Sequence, residues 1–143
     1  MIPLSPHFSY EEAIHSQTAG RLGIDNSVPD ELWGNLKAAA VGMELVRREL
    51  NSNPIIISSW YRCPVLNKVI GSKPTSAHLT GYAIDFTCPT AGTPRQIVAA
   101  LIKSKVPYDQ VIEEHRSWVH ISFDPKMRAQ ALIIDSEGVR AWA

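Results

Sequence analysis

The feature that most limits how this chain can fold is a change of hydrophobic period at Asn51-Ser-Asn-Pro54. Before it, Leu32, Leu36, Ala39, Met43, Val46 and Leu50 recur every three or four residues, which places them on one stripe of a helix. After it, short β-branched and alternating runs take over. A helix is predicted over residues 30–50, with Pro29 where a first helical turn tolerates it. Pro54 ends that pattern, because proline cannot donate to a helix and biases the preceding residue towards extended backbone. Helices first and strands later predict an α+β class, with N-terminal helices packed on a small, mostly antiparallel sheet. At 143 residues the chain is expected to form one domain, 1–143, with a core of its own.

The remaining elements follow from local chemistry. Ser9 with Glu12 three residues on is a capping-box pattern and predicts a helix over residues 9–19. Ile55 to Ser59 reads as a buried strand, and residues 65–69 as a short helix before a Gly/Ser/Pro/Thr loop. From Gly81 to Thr87 the chain alternates, with Tyr82, Ile84 and Phe86 on one face and Ala83 and Asp85 on the other. Thr93 as cap and Pro94 at the first position open a helix running to about Lys103. Residues 109–114, 118–123 and 131–135 read as three further strands.

Some functions are disfavoured by composition. The formal net charge is zero, a poor match to nucleic acid, which selects for a basic field. No apolar run is long enough to span a bilayer, so no stable membrane insertion is expected. The first residues, MIPLSPHFSYEEAIHS, show neither a basic nor an apolar leader region, so synthesis in the cytoplasm is expected. Cys63 and Cys88 are too few for a disulfide framework and read as two buried thiols, with one bridge as the alternative.

Two segments carry chemistry. In Ser76-Ala-His78-Leu-Thr-Gly81-Tyr-Ala-Ile-Asp85, a histidine in a polar loop is followed seven residues later by an aspartate that interrupts an apolar strand. Asp85 leaves the face of Tyr82, Ile84 and Phe86 and shares its own with small Ala83, which leaves room for something to approach. Taken alone, Asp85 could cap a turn and His78 could be a solvated loop residue. In Trp118-Val-His120-Ile-Ser122 the same alternation takes His120 off the face of Val119, Ile121 and Phe123. Two imidazoles and a carboxylate form a common catalytic zinc ligand set with a fourth position free for water. Copper and iron use similar ligands, but no redox partner residues favour them. A hydrolytic site also needs a general base, for which Glu113 and Glu114 are candidates. If residues 109–114 and 118–123 pair as a hairpin, register decides which glutamate shares a face with His120. An even sum of paired residue numbers selects Glu114 and an odd sum Glu113. Alternation gives no vote, since Val111 and Ile112 are equally apolar.

SAHLTGYAID resembles the SxHxxGxAxD motif of the zinc peptidases that include D-alanyl-D-alanine carboxypeptidases and phage L-alanyl-D-glutamate endopeptidases. SSWYRCPVLN resembles the family's upstream SxxYRxxxxN segment, and YDQVIEEHRSWVHIS its closing segment, in which an acidic residue precedes WxH. The resemblance covers residues 8–124. It implies a hedgehog-like, D-Ala-D-Ala-peptidase-like fold with zinc on His78, Asp85 and His120. Some members carry the catalytic glutamate three residues before the last histidine, where this chain has Ser117. Members with a longer spacing, the hedgehog signalling domain among them, carry it six before, and that implies Glu114. By the same resemblance Arg62 contacts the substrate carbonyl or carboxylate, a role that suits a planar guanidinium. Ser76 would hydrogen-bond near the site or to substrate, and Gln110 is a weaker candidate for a substrate contact. Trp60, Trp118 and Tyr82 read as packing residues, and His7, His15 and His115 as surface ones.

The implied activity is zinc-dependent hydrolysis of amide bonds in peptidoglycan stem peptides, by an L-alanyl-D-glutamate endopeptidase or a D-Ala-D-Ala carboxypeptidase. The picture is an endolysin, monomeric, released by a holin-type partner and acting on the cell wall. A non-catalytic zinc-containing binding module and a virion component that opens the wall are the rival readings.

Overall fold

Capping chemistry decides where the N-terminal elements begin and end. The computed structural model describes residues 1–142. Two very short strands, β1 (Pro3–Ser5) and β2 (Phe8–Ser9), pair antiparallel and lead into helix α1 (Tyr10–Ile14). Ser9 caps α1 with the reciprocal Glu12 contact that the capping box requires. The single helix expected over residues 9–19 is in fact two. His15 takes extended backbone, and Ser16 starts α2 (Gln17–Leu22) by accepting a hydrogen bond from the Ala19 backbone at 3.1 Å. A second good cap is a stop signal for the helix before it, which the first capping box gave no reason to expect.

The long helix is a 3-10 turn, Asp30–Leu32, followed by α3 (Trp33–Glu49). Leu36, Ala39, Met43 and Val46 of its apolar stripe are fully buried, and Asn51 and Ser52 turn the chain away with left-handed backbone. Then come β3 (Ile56–Ser59), α4 (Pro64–Val69), a 3-10 turn over Ala77–Thr80, β4 (Ala83–Thr87) and α5 (Pro94–Lys103). The chain finishes with β5 (Gln110–Glu114), β6 (Trp118–Ser122), β7 (Gln130–Asp135) and β8 (Gly138–Ala141). α5 begins as its sequence implies, with Thr93 and Gln96 forming a second capping box around Pro94.

The fold is mixed α+β, with a six-stranded sheet in the order β3-β4-β6-β5-β7-β8. Every neighbouring pair is antiparallel except β5 and β7, which run parallel. β4 and β6 occupy the interior, flanked by β3 and β5. Ile55 to Ser59 was expected to be a buried strand; β3 is instead an edge strand, and Ile56 is 55% exposed. A β-branched run states a preference for extended backbone, not a place in the sheet.

One face of the interior strands carries the core. Ile84 and Phe86 of β4, Val119 and Ile121 of β6 and Val111 of β5 join Leu36 and Met43 of α3 and Ile97 and Leu101 of α5 in one buried cluster. α3 meets Phe123 so closely that a Cβ on Gly42 would stand 2.7 Å from its Cζ. Gly42→Ala is therefore expected to destabilise the fold by about 1–3 kcal/mol through overpacking, despite the better helix propensity of alanine. Denaturant titration checks this; a neutral or stabilising effect would show that Phe123 can move aside.

A second stability element ties β5 to the loop before β7. Asp109 is 1% exposed and accepts from the Arg128 backbone N–H, Nε and Nη2 at 2.8–2.9 Å. The Arg128 guanidinium holds the Asp109 carboxyl below the usual carboxylate range, with burial opposing. Its folded pKa is thus lower than the unfolded value of about 3.9, so its stabilisation is present above that value. It is lost as pH falls through the folded pKa. Asp109→Asn is expected to cost about 1–3 kcal/mol near neutrality. The gap in Tm between the two proteins should narrow below about pH 4; a gap that persists in acid would contradict this.

Candidate metal centre

His78 sits on the 3-10 turn Ala77–Thr80, and two neighbours lock its ring. Ser76 caps the turn, its hydroxyl accepting from the His78 backbone N–H at 3.2 Å. The turn closes on Gly81, whose φ of +84° lies in the left-handed region and whose missing Cβ leaves room for Leu36. Trp60 is fully buried and clamps both ends: its indole N–H donates to the Gly81 carbonyl at 2.9 Å, and its own carbonyl lies 2.6 Å from His78 Nδ1. A carbonyl only accepts, so the neutral ring carries its proton on Nδ1 and offers a lone pair at Nε2. That Nε2 is buried and has no hydrogen-bond partner among the described residues.

The lone pair faces a carboxylate oxygen. Asp85 Oδ2 lies 3.3 Å from His78 Nε2, an arrangement of two acceptors that needs a cation or a proton between them. Burial lowers the His78 pKa and so disfavours the proton. Asp85 and His120 are direct cross-strand partners on β4 and β6, and His120 Nδ1 lies 2.8 Å from Asp85 Oδ1. Burial works against the charge of Asp85, but the two imidazoles overcome it and hold its carboxyl well below the usual range. Burial also opposes protonation of His120, whose pKa is nevertheless raised by the hydrogen bond and charge of Asp85. One donor atom from each of His78, Asp85 and His120 lies within 4.8 Å of the others. Two imidazoles and a carboxylate, converging on an unsatisfied lone pair, fit a zinc ion with its remaining position open. The Trp60 carbonyl on His78 is the outer hydrogen bond that such a ligand needs to fix its orientation.

The hairpin register decides between the two glutamates. Ile112 pairs with His120 and Glu114 with Trp118, so Glu114 shares the face of His120. Its Oε1 lies 3.5 Å from His120 Nδ1. Burial pushes the Glu114 carboxyl up, with the charge of Asp85 adding and His120 and Arg62 opposing. Glu113 points to the opposite face, 2% exposed, where Arg95 donates to both its oxygens at 3.1 and 3.2 Å.

Arg62 reaches the same centre, its Nη2 lying 3.9 Å from Asp85 Oδ2. Its guanidinium is held by Ser59 Oγ and Asn67 Oδ1, each at 3.3 Å. Asn67 is buried, and its amide N–H also donates to the Lys73 carbonyl at 3.0 Å, tying α4 to the loop that leads to His78. Asn67 and Ser59 are thus positioning residues that sequence reasoning passed over, although Asn67 closes the SSWYRCPVLN segment. Ser76 spends its hydroxyl on the His78 backbone, and Gln110 shares the Glu114 face but bonds Gln130 at 2.6 Å. Cys63 and Cys88 are both buried and free. His7 is exposed and pairs with Glu44 of α3.

A family model described as Peptidase M15 matches residues 6–122, a span that holds all three metal-ligand candidates, Arg62 and Glu114. The chain belongs to the peptidase M15 family. A search of curated proteins finds no match to it. M15 peptidases are typically zinc-dependent, which agrees with the donor set of this M15 chain. No helix among the described residues is long and apolar enough to cross a membrane.

Proposed function

We propose that this M15 peptidase hydrolyses amide bonds in peptidoglycan stem peptides with one zinc ion held by His78, Asp85 and His120. The observation that carries the reading is the convergence of the His78–Asp85–His120 cluster with Glu114, 3.5 Å from His120, and Arg62, 3.9 Å from Asp85. When bound, zinc supplies a Lewis acid that polarises the scissile carbonyl and acidifies water. Glu114 accepts a proton from the attacking water and returns it to the leaving amine; a carboxyl with a raised pKa suits both transfers. Arg62, oriented by Ser59 and Asn67, binds a substrate carboxylate or carbonyl oxygen. Ser76 serves the site through the His78 turn, and Gln110 stands at the far end of the same face.

The fold that supports this is read as hedgehog-like and D-Ala-D-Ala-peptidase-like. The setting is a monomeric endolysin made in the cytoplasm and released to the wall with a holin-type partner. Mass spectrometry of muropeptides digested with and without a chelator tests the reading. A freed L-Ala end identifies an endopeptidase, and loss of terminal D-Ala a carboxypeptidase. An unchanged muropeptide profile with zinc-loaded protein would refute the activity.

A further inference from the structure

The free edge of the sheet runs into the candidate centre. Among the described residues β3 has β4 as its single neighbour in the sheet, and Ile56 and Ser58 are exposed along it. Beside this edge lies a groove of about 490 Å³, lined by β3, by His15 and Thr18 at the corner between α1 and α2, and by Ile70 just after α4. Ser59 and Arg62 line it as well. Both belong to the centre already described: Ser59 pairs with Asp85 across β3 and β4, and Arg62 reaches to within 3.9 Å of that carboxylate. The groove and the metal centre therefore share a wall. Its lining includes Arg62 and His15 but no aspartate or glutamate, so an anionic chain meets a guanidinium and no like charge along the groove wall.

We infer that this groove is the extended subsite of the peptidase, holding the acidic peptide beyond the scissile bond against the β3 edge with a substrate carboxylate on Arg62. The inference rests on the peptidase reading above and adds where the rest of the substrate lies. An edge strand presents unpaired N–H and C=O groups that an extended peptide can use, while neighbouring side chains select among peptides. Four strand residues at about 3.3 Å each give roughly 13 Å of edge, enough for three or four substrate residues. Binding energy from residues remote from the reacting bond is what lets a longer substrate outrun a shorter one.

Groove-filling variants Thr18→Trp and Ile70→Trp test this, assayed on a synthetic stem tetrapeptide and on the shortest fragment the wild-type enzyme cleaves. The ratio of kcat/KM for long over short substrate is expected to exceed about ten in the wild type and to fall at least about ten-fold in both variants. A wild-type ratio near one, or a ratio that the variants leave unchanged, overturns the assignment. Backbone amide shifts of zinc-loaded Glu114→Gln protein titrated with the tetrapeptide give a readout free of turnover. Shifts along residues 56–59 and 15–18 support the groove, and shifts confined to the surroundings of His78, Asp85 and His120 overturn it. Wild-type protein that cleaves neither peptide counts against the peptidase reading, and the amide shifts then decide the groove separately.

Discussion

A Glu114→Gln variant is expected to lose about 10²–10⁴-fold in kcat on a stem peptide while still binding one zinc ion. The substitution keeps shape and removes only the ability to take a proton. Glu114 is not among the three donor residues that converge on the ion position, so zinc titration should give unchanged stoichiometry. Its neighbour makes the natural control. Glu113→Gln alters a carboxylate on the other face of β5, bonded to Arg95, and is expected to change stability more than kcat. Loss of kcat in the Glu113 variant with retention in the Glu114 variant would mean that the register drawn from the Ile112–His120 pair fails in the working enzyme.

The second large effect is expected at Asp85. Asp85→Asn removes the negative charge that two imidazoles and Arg62 surround in a buried site. Zinc affinity should fall by more than the roughly 10–100-fold that loss of an outer hydrogen-bonding partner costs. If the folded chain binds zinc as proposed, chelation is expected also to lower the Tm of the wild type. At a thousand-fold excess over Kd, bound zinc is worth about 4 kcal/mol. The variant should show little of that chelator-sensitive increment. Affinity should weaken as pH drops, since protons compete for imidazole nitrogens that must be neutral to bind metal. Zinc-competition titrations and paired thermal melts check both points; a variant that binds zinc like the wild type would remove Asp85 from the ligand set.

Much of the local structure was legible because short-range chemistry determines it. Thr93, Pro94 and Gln96 mark the start of α5, and the stripe from Leu36 to Val46 marks the buried side of α3. The failures are non-local or too short to show a period. β1 and β2 comprise three and two residues, and β8 is exposed throughout its length, so neither hydrophobicity nor alternation announces them. The edge position of β3 depends on which strands pair, and no residue in Ile56–Ser59 encodes that. In the centre, alternation alone takes Asp85 and His120 off the core face but leaves Glu113 and Glu114 open; the family resemblance points to Glu114, and the register puts that residue on the His120 face. The support of Arg62 by Asn67 joins a helix to a loop, a contact that no spacing rule predicts.

The pairing of Glu113 with Arg95 has a consequence for misfolding. Consecutive glutamates mean that β5 could slip by one residue against β6, with Val111 opposite His120, and still present a carboxylate where Glu114 now stands. Such a trapped isomer would keep the composition of the centre and escape any check that only asks whether an acid is present. It would, however, place Ile112 where Glu113 now meets Arg95, and so lose both hydrogen bonds that span α5 and β5. The slip would also bury Gln110 in the fully buried place of Val111, so the bridge on the far side of the sheet adds to a core-packing cost, and the two together favour the native alignment of the hairpin.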